Sequence, residues 1–168
     1  HMGRPKGCPD PNLSLKFMTD DLQERWGCSV GFGEDCIGPS AEAAVNALKI
    51  GEVTLLENVR FHVGEKNNDT AFVKQLAALG DIFINDAFSV SHRAHASTTG
   101  LADILPAAAG LLMEQELNAL NTALTHPERP VSALSGGSKI SSKINILKNL
   151  CEKVDYLILG GAMAVSYT

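Results

Sequence analysis

Apolar and polar positions alternate along this chain in blocks of two different periods. Leu15, Met18, Leu22 and Trp26 recur at the spacing of one helical face, behind Ser14, whose hydroxyl suits it to cap the first free N–H groups. The pattern predicts a helix over 15–26, stopped by Gly27. Residues 28–32 read as a short strand, and Pro39 with Ser40 introduces a helix through Leu48, closed by residues 49–51. A buried strand follows at 52–56, a helix capped by Asp69 runs through Leu79, and the next strand lies at 81–85. Helices and strands that alternate with short links build a parallel sheet covered by helices.

Beyond Phe88 comes a polar loop, SVSHRAHASTTG, and then a long helical pattern over 105–124 with Pro106 in its first turn. HPERP (126–130) reads as a linker, and a fresh strand–helix–strand unit occupies 131–134, 140–153 and 156–159. The fold class expected is therefore α/β, with Rossmann-like three-layer lobes on parallel sheets. Residues 1–104 form a nearly complete first lobe, 105–130 a connecting helix and linker, and 131–168 the beginning of a second lobe, with a boundary near Pro130. The chain opens on a loop, HMGRPKG, in which His1 and Met2 resemble a cloning remnant, and it stops at Thr168 before a second sheet closes. These 168 residues alone are expected neither to catalyse nor to fold as a stable monomer. Strands without neighbours leave ladder groups unpaired and apolar faces uncovered.

Composition narrows the setting. Hydrophobic residues make up 45% and charged residues 20%, ordinary for a soluble globular protein. The apolar stretch 104–113 is interrupted by Pro and Gly and is too short for a membrane span, and the start lacks the pattern of a signal peptide. A net charge of −5 argues against nucleic acid as a partner. Cys8, Cys28, Cys36 and Cys151 form no CxxC pair and read as reduced thiols of a cytosolic protein.

In an open α/β sheet, ligands bind beyond the carboxyl ends of the strands. After 52–56 comes ENVRFH, with Arg60 and His62; after 81–85 comes DAFSVSHRAHAST, with His92, Arg93 and His95. The opening loop offers His1, Arg4 and Lys6. One arginine in a loop is ordinarily a solvated charge. Three at the ends of strands in one sheet make forked, permanently charged donors for a small phosphorylated acid. His92 and His95 lack the Cys or carboxylate partners of a zinc site, and Asp86 reads as a loop cap rather than a base. After 131–134 comes SGGSKISSK, where Gly136 and Gly137 admit a ligand to the backbone and Lys139 and Lys143 stand four residues apart. A plain turn with two surface lysines explains that spacing equally well, and the segment is not a GxxxxGK[ST] loop. Gly160 and Gly161 end the last strand in GGAMA.

Taken together, HMGRPKG, DCIG, LLENVRFH, NDAFSVSHRAHAST, AAGLLMEQELNAL, HPERP, GGSKISSKI and GGAMA stand in an order that resembles the phosphoglycerate kinase family, from His1 to about Ala164. The resemblance implies reversible phosphoryl transfer between 1,3-bisphosphoglycerate and ADP, giving 3-phosphoglycerate and ATP with Mg²⁺, in a monomeric enzyme of two lobes. It implies acid-binding roles for His1, Met2, Gly3, Arg4, Arg60 and Arg93, with His92 and His95 nearby. It implies nucleotide contacts from Gly136, Gly137, Ser138, Lys139, Lys143, Gly160 and Gly161, with Lys139 and Lys143 stabilising the transferring charge. The family's DFNVP segment and its GGG[DS][ST] segment, where the metal ligand is expected, have no counterpart here, and Ala162 stands where a third glycine is usual. The alternative is a non-catalytic module of the same fold that binds a phosphorylated ligand or a protein. Both lysines would be idle in such a module.

Overall fold

The computed structural model describes residues 1–125, 127–137, 143–161 and 164. By compactness the chain divides into two units, His1–Met113 and Glu114–Thr168.

In the first unit, α1 (Met18–Trp26) leads to β1 (Val30–Gly33), α2 (Gly38–Asn46) and β2 (Val53–Leu56). Then come α3 (Val63–Asn67), α4 (Thr70–Ala77), β3 (Phe83–Asn85), α5 (Leu101–Ile104), β4 (Ala107–Ala109) and the start of α6 (Leu111–Thr125). Strands β1 and β2 pair in parallel from Val30↔Val53 to Gly33↔Leu56, and β3 pairs in parallel with β4 from Phe83↔Ala107 to Asn85↔Ala109. In the second unit, β5 (Ser132–Gly136), α7 (Ile144–Cys151) and β6 (Tyr156–Gly160) form one crossover, and β5 and β6 are parallel from Ser132↔Tyr156 to Gly136↔Gly160. A parallel pair needs a crossover, which is why each pair brackets a helix.

Local signals explain most element ends. Gly27 takes a left-handed φ of 64° and donates its N–H to Gln23, closing α1. Asp69 accepts the Phe72 N–H at 2.9 Å and caps α4. Asp86 accepts the Met113 N–H at 2.8 Å in the first turn of α6.

Three expectations change. Ser14 does not cap α1, which begins at Met18; the Ser14 hydroxyl and the Leu15 N–H both donate to the Glu57 carboxylate across 42–43 residues of sequence. A charged acceptor outcompetes the local cap. The pattern over 105–124 is not one helix. Leu105, ahead of Pro106, is extended (φ −103°, ψ 153°), and Ala107–Ala109 joins β3 instead. Gly110 N–H donates to Asn85 O at 2.9 Å, so the ladder overrides alanine's helical preference. Finally, the strands of the first unit do not share one sheet among the described residues: β1–β2 and β3–β4 are separate pairs.

The core joins elements distant in sequence. Cys36, Phe72, Val73 and Ala96 are buried together, with Ile37, Leu56, Val59 and Leu76 packed on them. Residues from the loop after β1, the end of β2, α4 and the loop after β3 thus share one apolar cluster. Burying a Phe or Val side chain contributes about 1.5–3 kcal/mol, enough to hold the connecting loops in register. Outside it, Ile84 on β3 and Ile158 on β6 stay more than half exposed.

Burial, then the neighbouring Asp35 carboxylate, pushes the Cys36 thiol up to about 12. The thiol is therefore neutral in the fold, whereas the unfolded chain releases its proton near 9.0. A group raised in this way contributes stability fully below pH 9 and loses it as pH rises toward 12. Denaturant titrations are expected to show stability falling by up to about 1.4 kcal/mol per pH unit in that window, and a Cys36→Ala variant should lack this component. Iodoacetamide at neutral pH should label exposed Cys8 and Cys151 while Cys36 reacts only on unfolding.

Candidate functional site

The site begins with Asn58, fully buried two residues after β2. Its Nδ2 donates to Met2 O at 2.8 Å and Leu13 O at 2.9 Å, and its Oδ1 accepts the Arg60 N–H at 3.2 Å. One side chain thus ties the opening loop to the loop that carries Arg60. Gly3 makes this approach possible: its φ is +59°, and a Cβ there would fall 2.6 Å from Leu13.

Arg60 lies in a single helical turn, Val59–Phe61, and is only 4% exposed. Its Nε and Nη2 have no hydrogen-bond partner among the described residues. Burial lowers its pKa most, the charge of Arg93 adds to the drop and that of Arg4 adds less, while Glu65 opposes it. Arg60 nevertheless stays cationic at neutral pH. The opening loop, the loop after β2 and the loop after β3 therefore converge electrostatically, although β2 and β3 belong to different strand pairs. A cleft of about 160 Å³ at Arg60 is also lined by Lys6, His62 and Lys66, with no carboxylate on its wall.

Arg93 is exposed, and its Nε donates to His92 Nε2 at 3.2 Å. Thr98 fixes its backbone by donating to Arg93 O at 2.7 Å. Glu65, 1% exposed, reaches across to the same loop: Ser97 donates to it from N at 2.9 Å and from Oγ at 2.6 Å, and His95 Nδ1 lies 3.5 Å away. His1, Gly3 and Arg4 are exposed and Met2 is half-buried.

A larger cavity of about 500 Å³ borders this region, lined among others by Asp10, Lys16, Glu34, Asp35, Glu57 and His62. Four carboxylates make it hostile to a phosphate. Asp35, Cys36 and His62 bring ligand atoms within 4.8 Å of one another. Asp35 Oδ1 already accepts the Cys36 N–H at 2.6 Å and contacts His62 Nε2 at 2.6 Å. With the thiol held neutral, this is a hydrogen-bonded cluster rather than a preformed cation site.

In the second unit the two strands end side by side in glycines. Gly136 stands opposite Gly160, a Cβ on Gly161 would lie 4.0 Å from Gly137 N, and Gly137 and Gly161 have φ of 143° and 69°. Lys143 lies just before α7, not within it as the helix expected at 140–153 implied. Its Nζ donates to Gly136 O at 2.6 Å, placing an ammonium at the end of β5. Ser138, Lys139 and Ala162 lie outside the described residues.

Asn58, Glu65 and Lys66 are not among the residues that motif and spacing single out. Asn58 sat inside LLENVRFH, and its position two residues after a buried strand was the available signal. Glu65 and Lys66 lie in the polar run VGEKNN, which reads like an ordinary solvated turn.

A family model described as "Phosphoglycerate kinase" matches residues 1–168. This chain belongs to the phosphoglycerate kinase family. It is 56% identical over 167 residues to the phosphoglycerate kinase of Rhodospirillum centenum (strain ATCC 51521 / SW), covering 99% of this chain and 42% of that protein. It is equally 56% identical, with the same coverage, to the phosphoglycerate kinase of Brucella suis biovar 1 (strain 1330). Among solved structures, phosphoglycerate kinase from Coxiella burnetii superposes with a TM-score of 0.82 at 40% identity, over 99% of this chain and 42% of that one. The enzyme from Pyrococcus horikoshii OT3 gives 0.83 at 32% identity, over 100% and 43%. The family member described here thus spans about two fifths of the length of these relatives, and its α/β fold is theirs.

Replacing Asn58 by Ala removes three hydrogen bonds and leaves the part-buried Met2 and Leu13 carbonyls and the Arg60 N–H without that partner. The expected loss is about 2–4 kcal/mol of stability, read by urea titration.

Proposed function

We propose that this chain is the acid-binding part, and the start of the nucleotide-binding part, of an enzyme that transfers a phosphoryl group reversibly between 1,3-bisphosphoglycerate and ADP. In this reading, residues 1–104 receive the phosphorylated acid, 105–130 connect the lobes, and 131–168 begin the nucleotide lobe. The observation that carries it is Arg60: a buried guanidinium with unspent N–H groups, under the influence of Arg93 and Arg4. Fixed cations with free donors are costly to keep unless an anion completes them. Arg4, Arg60 and Arg93 would engage the phosphate and carboxylate of 3-phosphoglycerate, with His1, Met2 and Gly3 shaping the rim and His92 and His95 beside it.

The glycine-ended strands of the second unit fit a nucleotide, because Gly136, Gly137, Gly160 and Gly161 carry no side chain of their own to hold a ligand off the backbone. Lys143 would leave Gly136 O to meet a phosphate, together with Lys139. Mg²⁺, when bound with the nucleotide, would neutralise phosphate charge; its protein ligand is not assigned to these residues. Phosphoryl transfer asks the protein mainly for positioning and positive charge, and the acceptor carboxylate is already ionised, so no general base is assigned. No helix among the described residues is long and apolar enough to cross a membrane, and a cytoplasmic setting accords with the free thiols.

In a chain of the relatives' full length carrying these residues, Arg60→Ala and Arg93→Ala are each expected to lower kcat/KM for 3-phosphoglycerate by the equivalent of about 2–4 kcal/mol. Unchanged kinetics in both would reject the assignment. Binding of the acid without any ATP-dependent turnover in the unsubstituted protein would favour the non-catalytic module. Arg60→Gln should leave the thermal midpoint unchanged or raised, since it removes an unpartnered buried charge.

A further inference from the structure

Arg93 carries its guanidinium on an exposed loop, where the hydrogen bond described for that side chain runs to the neighbouring His92. What holds the loop lies beneath it. Glu65, on α3, is 1% exposed, and both of its oxygens are spent on one residue of that loop. Oε2 accepts the Ser97 N–H at 2.9 Å and Oε1 accepts the Ser97 hydroxyl at 2.6 Å, across 32 residues of sequence. His95 Nδ1 lies 3.5 Å from the same Oε1. Ala96, beside Ser97, is buried among Cys36, Phe72 and Val73. The loop is also tied to itself. The hydroxyl of Thr98, a residue 6% exposed, donates to Arg93 O at 2.7 Å and accepts the His95 N–H at 3.1 Å. On the other side, only His62 separates α3 from the helical turn that carries Arg60.

We propose that Glu65 is a positioning residue whose paired bonds to Ser97 latch α3 to the loop of Arg93, and so set where Arg93 stands relative to the turn of Arg60. Each link is a hydrogen bond or a short stretch of backbone: the turn of Arg60, His62, α3, Glu65 to Ser97, and Thr98 to Arg93. A common sheet would ordinarily fix two such loops, but β2 and β3 belong to separate strand pairs. The latch takes over that task. Hydrogen bonds to a carboxylate are about twice as strong as neutral ones, and burial keeps water from competing for them. A binding side chain must be held within about 0.5 Å of its productive place, and a site on loops depends on supporting bonds for that precision. Glu65 touches no ligand in this scheme; its effect on a bound acid passes through Arg93.

This inference rests on the acid-binding reading of Arg60 and Arg93. The test uses a chain of the relatives' full length carrying these residues, held well below its thermal midpoint. The Kd for 3-phosphoglycerate is read by phosphorus NMR titration, which still reports millimolar binding. Glu65→Gln keeps the shape but offers one acceptor oxygen where the carboxylate offers two, and it is expected to weaken binding roughly three- to tenfold. In an Arg93→Ala background the same substitution should add no further loss, because the latch acts through Arg93. A contact that served only the stability of the fold would lower the thermal midpoint and leave Kd unchanged, or would weaken binding equally in both backgrounds. Either result overturns the positioning role. If Glu65→Gln does not fold, Ser97→Ala decides: a weakening that disappears in the Arg93→Ala background supports the latch, and any other result overturns it. The two proposals fail separately. Wild-type affinity in Arg60→Ala and Arg93→Ala would remove the acid site itself, whereas lost affinity in those variants with full affinity in Glu65→Gln would remove only the latch.

Discussion

Arg60 holds a full positive charge at 4% exposure, and much of the first unit is arranged around that cost. Removing a cation from water costs several kcal/mol, which a protein recovers only through partners. Here the backbone of Arg60 is held by Asn58, and two of its nitrogens stay unspent among the described residues. Such a residue is a poor device for stability and a good one for receiving an anion. In the acid-binding role proposed for it, its donors would break no existing bond before meeting an anion, so little reorganisation would be needed.

The constraint propagates through two other features. The opening loop reaches Arg60 only because Asn58 holds Met2 and Leu13 from beneath and Gly3 lets the chain pass close to Leu13. The loop of Arg93 is held on the core because Ala96 is buried in the cluster with Cys36, Phe72 and Val73 while Ser97 is tied to Glu65. Packing beneath the loops and hydrogen bonds between them thus do the work that a shared strand ladder would otherwise do. In the second unit the logic differs: the surface at the strand ends is backbone, exposed by glycines at the ends of β5 and β6, with Lys143 folded back onto the strand end.

What the sequence by itself determined were the features whose cause is local. Gly27 ends α1 because its αL conformation needs no partner elsewhere, and Asp69 caps α4 with a bond spanning three residues. The strands at 53–56, 83–85, 132–136 and 156–160 followed from short apolar runs bounded by turn residues, and Arg60 and Arg93 were visible as charges just past such runs. Tertiary structure decided what depended on a distant competitor. Ser14 looked like a cap until Glu57 claimed its hydroxyl, and 107–109 looked helical until β3 offered a ladder. Asn58 and Glu65 carried no local pattern, since a buried polar side chain is defined by the partners that bury it, and these come from 32 to 56 residues away. Spacing along the chain reports which groups can act; only the packed fold, by desolvating Arg60 and setting its neighbours around it, decides which of them must.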